Sequence, residues 1–287
     1  MITLHNQFVS ASINPYGAEL KSLINKENNT EYIWQADPTY WNRSAPVLFP
    51  IVGEVKNNTI IVGGEQYALN RHGFARDSMF TVAKQTEDSV TFTLESTAET
   101  KKIFPFEFRF SVQYTLEGKK IHVYFITENI GADTMFFSVG AHPAFNLPTS
   151  NITDYYIEFE KPETLSRYLL ADNLFSGETE VVLKNSNRME LQTLLFDKDA
   201  IVFKNMQSGW MALKSKSGDY SVKMDLEGFP YFGIWTKPNC EQFICLEPWC
   251  GLADSSNFNG EFKDKEGVIS LASGEVFERV FTIDINN

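Results

Sequence analysis

"FEFRFSVQYTLEGKKIHVYFITENI", residues 106–130, decides the fold. Phe106, Phe108, Phe110, Val112 and Tyr114 recur at every second position, and Ile121, Val123 and Phe125 resume the alternation after Glu117-Gly118. A period of two places these side chains on one face of a strand, and the turn residues between the runs make the pair an antiparallel hairpin. Upstream, "SVTFTLES" (89–96) repeats the pattern with Val90, Phe92 and Leu94.

The same reading extends to both ends of the chain. Alternating or β-branched runs bounded by Gly, Asn and Asp predict strands at 1–14, 17–24, 58–69, 78–86, 134–140, 153–160, 200–204, 209–214, 220–225, 231–236, 242–247 and 276–285. Helix signals are sparse: short turns are expected at 98–103, at 163–169, and at 37–43, where Asp37 precedes Pro38. Strands do not alternate with long helices, so a parallel sheet is not expected. The reading is one all-β domain over 1–287, with antiparallel sheets and few short helices.

Bulk properties narrow the function. With 287 residues, 43% of them hydrophobic and 24 of them Phe, the chain can bury a large core and still line a groove with aromatics. A formal charge of −12 argues against nucleic acid as a partner, because phosphate neutralisation needs clustered Lys and Arg. The start, "MITLHNQFVSASINPYGAEL", has no basic, apolar signal pattern, and no apolar run is long enough to span a membrane. Cys240, Cys245 and Cys250 lack the close spacing of a zinc site and read as reduced, structural thiols, so a cytoplasmic location is expected.

Three segments interrupt the alternation with polar residues: "NRHGFARDS" (70–78), "GAHPAFN" (140–146) and "CLEPWCGLADSSN" (245–257). Glu247 shares a strand face with Phe243 and Cys245, so it must be paired, hydrogen-bonded or shifted in pKa. His142 sits between Ala141 and Pro143 at an apolar strand end. A histidine and a glutamate held in apolar frames are the parts of paired acid and base catalysis, although each alone could be a satisfied core residue. His122, on the polar face of its strand, and His5, near the terminus, read as structural. A glycosidase would need a second carboxylate, for which Glu54, Asp77 and Asp254 are available without supporting context. No nucleotide-binding or nucleophile-elbow motif occurs, and no metal site is indicated.

"APVLFPIVG", "RHGFARD", "VGAHPAFN" and "LEPWCGLAD", in this order, resemble the aldose 1-epimerase (galactose mutarotase) superfamily and, within it, the LacX-like branch. The resemblance covers about residues 5 to 285 and implies a large antiparallel β-sandwich with a sugar cleft on one sheet. It implies that His142 is the general acid and Glu247 the general base of ring opening, and that His72 orients the sugar. Arg76 and Arg43 resemble arginines lining the cleft in the hexose-6-phosphate branch. Asn146 is a further substrate-binding candidate, and Trp235 and Trp249 could offer apolar surface to the ring. The implied substrate is a hexose or hexose phosphate, and the reaction needs no cofactor. His142 is expected to start protonated and Glu247 ionised, with activity falling at low pH. A non-catalytic carbohydrate-binding or sensing protein on the same scaffold is the alternative. Two departures stand out: Glu54 follows "LFPIVG" where the pattern usually has arginine, and no sugar-gripping aspartate is found near "GFPYFGIWTKP".

Overall fold

The hairpin read from 106–130 forms the middle of a nine-stranded antiparallel sheet. A computed structural model describes residues 1–285; residues 286 and 287, the end of the expected 1–287 domain, lie outside the described residues. The strands run in the order Leu174–Glu190, Tyr155–Ala171, Trp210–Ser215, Ser221–Asp225, Val276–Asp284, Lys120–Asn129, Phe108–Glu117, Ser89–Glu95 and Thr81–Gln85. Val112 pairs with Phe125 and Tyr114 with Val123, so the expected apolar sets share one face. On the other face Arg109 bridges Glu95 and Glu128 of the flanking strands, an exposed network worth little to stability.

A second sheet packs against the first. Its order is Ile201–Phe203, Tyr231–Trp235, Phe243–Cys250, Val139–Ala141 and Val47–Leu48, and Ala144–Asn146 also pairs with Phe243–Cys250. Phe49, just past its edge, stacks on Phe110 of the larger sheet with centroids 4.3 Å apart. Both rings are fully buried, as are Phe92, Phe108 and Phe125; each contributes roughly 1.5–3 kcal/mol through burial. The result is the all-β antiparallel sandwich expected from the alternation.

Phe243–Cys250 is buried along its whole length because both of its faces are covered. Ile244 and Leu246 point into the core between the sheets. Cys245, Glu247 and Trp249 alternate with them and face the opposite side, where two smaller apolar clusters frame a cavity.

Several segments differ from the sequence expectation. Residues 163–169 are strand, not a helical turn. They belong to a long hairpin, Tyr155–Ala171 with Leu174–Glu190, whose second arm was not anticipated. Its inward positions include Glu163, which accepts bonds from Gln207 N–H and from Ser208 N–H and Oγ, and Arg167, which pairs with Glu180. These satisfied polar groups hide the period of two. The 1–14 run is two strands, Ile2–His5 and Val9–Asn14, broken where Asn6 Oδ1 accepts from the Phe8 and Val9 N–H groups. The turns at 37–43 and 98–103 form: Asp37 Oδ1 accepts from Thr39 N–H, and Thr100–Lys102 is one turn of 3₁₀ helix. No helix among the described residues is long and apolar enough to cross a membrane.

Candidate active site

Strand register brings His142 and Glu247 together. Gly140 pairs with Trp249 and Ala144 with Cys245, both across Phe243–Cys250, so His142 stands opposite Glu247 in the gap between these pairs. The Pro143 carbonyl accepts from Leu246 N–H at 3.1 Å and fixes the intervening bend. His142 Nε2 lies 3.1 Å from Glu247 Oε2. Trp41 stacks on the imidazole with centroids 5.0 Å apart, and Trp235 and His72 meet it edge-on at 5.7 Å.

His72 is held by a two-way contact with Gly53: its N–H donates to the Gly53 carbonyl at 2.8 Å, and Gly53 N–H donates to Nδ1 at 3.1 Å. An imidazole whose Nδ1 accepts must carry its proton on Nε2, so the ring is neutral and offers Nε2–H. The Arg71 Nε contact to Nε2, at 3.3 Å, therefore opposes two donors and is not a hydrogen bond. His72 has φ of 66°, a left-handed conformation that costs a non-glycine residue energy and recurs at functional sites. Gly73 follows at φ 71°, and a Cβ there would sit 2.2 Å from the Phe49 carbonyl oxygen, so only glycine passes.

Three guanidinium groups line the same cavity. Arg43 Nη2 donates to Asp77 Oδ1 at 2.8 Å, Arg71 Nη1 to Asn173 Oδ1 at 2.9 Å, and Arg76 Nη2 to the Arg71 carbonyl at 2.8 Å. Arg76 Nε is buried without a hydrogen-bond partner. Burial and the neighbouring Arg43 pull the Arg76 pKa down to about 10, with Asp77 opposing.

The cavity measures about 220 Å³. His142, Glu247, His72, Arg76, Arg43, Trp235 and Trp249 all line it. Asn146 does not. Its Nδ2 donates to the Glu31 and Ile33 carbonyls at 2.9 and 3.0 Å, so it ties Ala144–Asn146 to the neighbouring loop, and the expectation that it binds substrate is corrected. Among the described residues lining the cavity, Glu247 is the sole carboxylate. Asp77 is committed to Arg43, Asp254 pairs with Lys265 at 2.9 Å, and Glu54 lies off the lining, so the two-carboxylate arrangement does not form. His122 bonds Thr282 and Glu117 on the large sheet, and His5 pairs with Glu87 at the surface, as structural roles require.

Other lining residues carried little sequence signal. Trp41 lies two positions before Arg43, and Arg71 stands beside His72 in the "NRHGFARDS" cluster. Asn173 and Phe175 come from the tip of the long hairpin, where Asp172 and Asn173 both have positive φ, as a two-residue turn needs. That tip is tied down by Phe175 N–H to the Asp254 carbonyl and Ser256 N–H to the Phe175 carbonyl, both 2.9 Å. Asp199, left-handed at φ 69°, stands beside Ala200 of the lining and acts electrostatically on Glu247.

Burial sets the charge of the central pair. It pulls the His142 pKa down to about 3, and Arg71, Arg76 and Arg43 pull in the same direction. It pushes Glu247 well above the usual carboxylate range; Arg71 opposes this and Asp199 adds to it. Trp249 N–H faces the carboxylate from outside hydrogen-bond geometry and contributes least. Burial thus favours a neutral imidazole and a carboxylic acid, where the sequence suggested imidazolium and carboxylate.

A β-sandwich carrying a buried acid–base pair over a small cavity defines a class. The chain matches the aldose 1-epimerase family over residues 1–283 and belongs to it. Within that family it is 33% identical to plasmid-encoded protein LacX of Lactococcus lactis, over 100% of this chain and 99% of that protein. Among solved structures it resembles a galactose mutarotase related enzyme from Lactobacillus acidophilus (TM-score 0.95, 33% identity, 100% and 97% of the two chains). It also resembles a galactose mutarotase-like protein from Lactobacillus casei (TM-score 0.94, 33% identity, full coverage of both).

Proposed function

We propose that the protein interconverts the α and β anomers of a hexose or hexose phosphate by opening and closing the sugar ring. The observation that carries this reading is the His142–Glu247 pair, 3.1 Å apart and lining the same cavity. When the sugar enters, the carboxylic acid proton passes from Glu247 to His142 along that contact. The Glu247 carboxylate then takes the proton of the anomeric hydroxyl, and His142 delivers its own to the ring oxygen. The bond between the anomeric carbon and the ring oxygen breaks, leaving the open-chain aldehyde. Rotation about C1–C2 and closure on the other face of the carbonyl, with both transfers reversed, gives the second anomer and restores the pair. Each positioned acid or base supplies about 10²–10⁴-fold.

His72 Nε2–H and the Arg71 guanidinium are the donors next to the pair, and Trp41, Trp235 and Trp249 supply its apolar walls. Three guanidinium groups against one carboxylate, Asp77, which pairs with both Arg43 and Arg76, favour an anionic sugar. Polarimetry of freshly dissolved α-glucose, α-galactose and their 6-phosphates tests the reading. An accelerated approach to anomeric equilibrium is expected for at least one of them. Sugar binding with no acceleration would leave the protein a carbohydrate-binding member of the family.

A further inference from the structure

The acid–base pair belongs to a larger set of donors. The ligand atoms of His142, Cys245 and Glu247 all lie within 4.8 Å of one another, and all three residues are buried. The sequence concealed this set, because even five-residue steps between cysteines carry no zinc signature. Sheet register assembles it instead: Cys245 and Glu247 are two apart on one face of the same strand, and Ala144, two residues past His142, pairs with Cys245.

We propose that one thiophilic divalent cation of the zinc class binds at the edge of the cavity, through the Glu247 carboxylate and His142 imidazole that line it and the Cys245 thiolate buried behind them, and that the bound ion blocks catalysis. One edge of the required tetrahedron is already in place. Bonds of ~2.0–2.1 Å to nitrogen and oxygen set the ligand atoms about 3.3 Å apart, against the 3.1 Å between His142 Nε2 and Glu247 Oε2. Glu247 Oε2 and His142 Nδ1 are buried without a hydrogen-bond partner, so no competing bond fixes the carboxylate oxygen that meets the ion.

Charge and softness select the ion. Binding requires Cys245 as thiolate and Glu247 as carboxylate, with the displaced protons released to solvent. Thiolate and carboxylate then balance a 2+ ion, and the buried site is neutral. A sulfur and an imidazole nitrogen suit zinc, cadmium or cobalt and reject magnesium and calcium, which require oxygen shells. The same ion occupies both proton carriers of the reaction, so mutarotation stops while it is bound. Only this last clause rests on the proposed activity; the binding site itself does not.

The test is a zinc sulfate titration of chelator-stripped protein against a competing fluorescent chelator, without sugar, together with the absorption spectrum of the cobalt(II) form. One zinc per chain is expected, unaffected by excess magnesium and by Cys250→Ser, and weakened roughly tenfold or more by Cys245→Ser or Cys245→Ala. Cobalt should give a near-ultraviolet thiolate-to-metal band and the intense visible bands of a tetrahedral site. That reading needs no variant and decides the matter if the Cys245 variants fail to fold. In the activity arm, zinc should suppress mutarotation reversibly with EDTA, and Cys245→Ser should raise the zinc concentration needed for half-suppression of its own rate. Absence of stoichiometric zinc, a cobalt spectrum without the thiolate band, or wild-type affinity in both Cys245 variants overturns the proposal. Stoichiometric zinc with no mutarotation in any form upholds the site and removes the epimerase reading instead.

Discussion

His142 and Glu247, 105 positions apart in the chain, face each other across adjacent antiparallel strands with Nε2 and Oε2 3.1 Å apart. Register alone sets that distance, because the pairs on either side of His142 are hydrogen-bonded to the strand that carries Glu247. Each ring-opening step needs both groups, so they should behave as one unit. His142→Ala and Glu247→Gln should each lower kcat/KM for the preferred sugar by about 10²–10⁴-fold. The double variant should lose little more than the worse single one. Polarimetry on the three variants measures this, and additive losses would separate the residues.

The pH profile follows from the proton count. An ordinary histidine titrates near 6.5, but burial moves His142 to about 3, so the pair takes up no second proton until strongly acidic pH. Mutarotation corrected for buffer catalysis should therefore show no histidine limb near pH 6.5. A midpoint near 6.5 would show an exposed imidazole and contradict the buried pair.

Glu247 also shapes stability. Its pKa is raised in the folded state, so the folded protein holds this proton over a range in which the unfolded chain has released it. Stability from this group is fully present below the ordinary glutamate pKa and declines as pH rises above it. Glu247→Gln, of the same shape and never charged, escapes that decline. Its melting temperature should exceed that of the native protein, with the gap widening from pH 5 to pH 8. A gap independent of pH would mean that the carboxyl is not held neutral.

Arg76 should discriminate between substrates. If its guanidinium meets a phosphate, Arg76→Ala should raise KM for a hexose 6-phosphate by roughly tenfold or more, the worth of a charge-assisted hydrogen bond. KM for the unphosphorylated hexose should change little. Equal effects on both would place Arg76 in support of the wall rather than in contact with the anion.

Asn146 tests a corrected assignment. Removing its amide leaves the Glu31 and Ile33 carbonyls without that donor, at a cost of about 1–3 kcal/mol. Asn146→Ala should lower the unfolding free energy from urea titration by that amount and leave KM unchanged at temperatures where the protein stays folded. A selective rise in KM would return it to the binding surface.

How much was legible in the sequence depended on where polar groups lay. The central hairpin was plain because Phe108, Phe110, Val112 and Tyr114 face an apolar core without interruption. The arm 163–169 was misread because Glu163 and Arg167 occupy inward positions, satisfied by partners far away in the chain. That error hid the hairpin tip, and with it Asn173 and Phe175 of the cavity wall. His142 and Glu247 could be chosen as polar residues in apolar frames. Their resting protonation could not, because it depends on how deeply the two strands are covered and on Arg71, Arg76 and Arg43 converging from elsewhere. Asp199, the carboxylate nearest in effect to Glu247, lies well before "GFPYFGIWTKP", outside the stretch where an aspartate was sought.

Trp249 lies flat against two bare stretches of backbone: a Cβ at Gly140 would come within 2.7 Å of its ring and one at Gly233 within 2.6 Å. Those two missing methyl groups let the indole recede from the cavity. Alanine at either place would force the ring to shift, and because Trp249 is part of the cavity wall, the shape of that wall depends on two glycines on the strands either side of it.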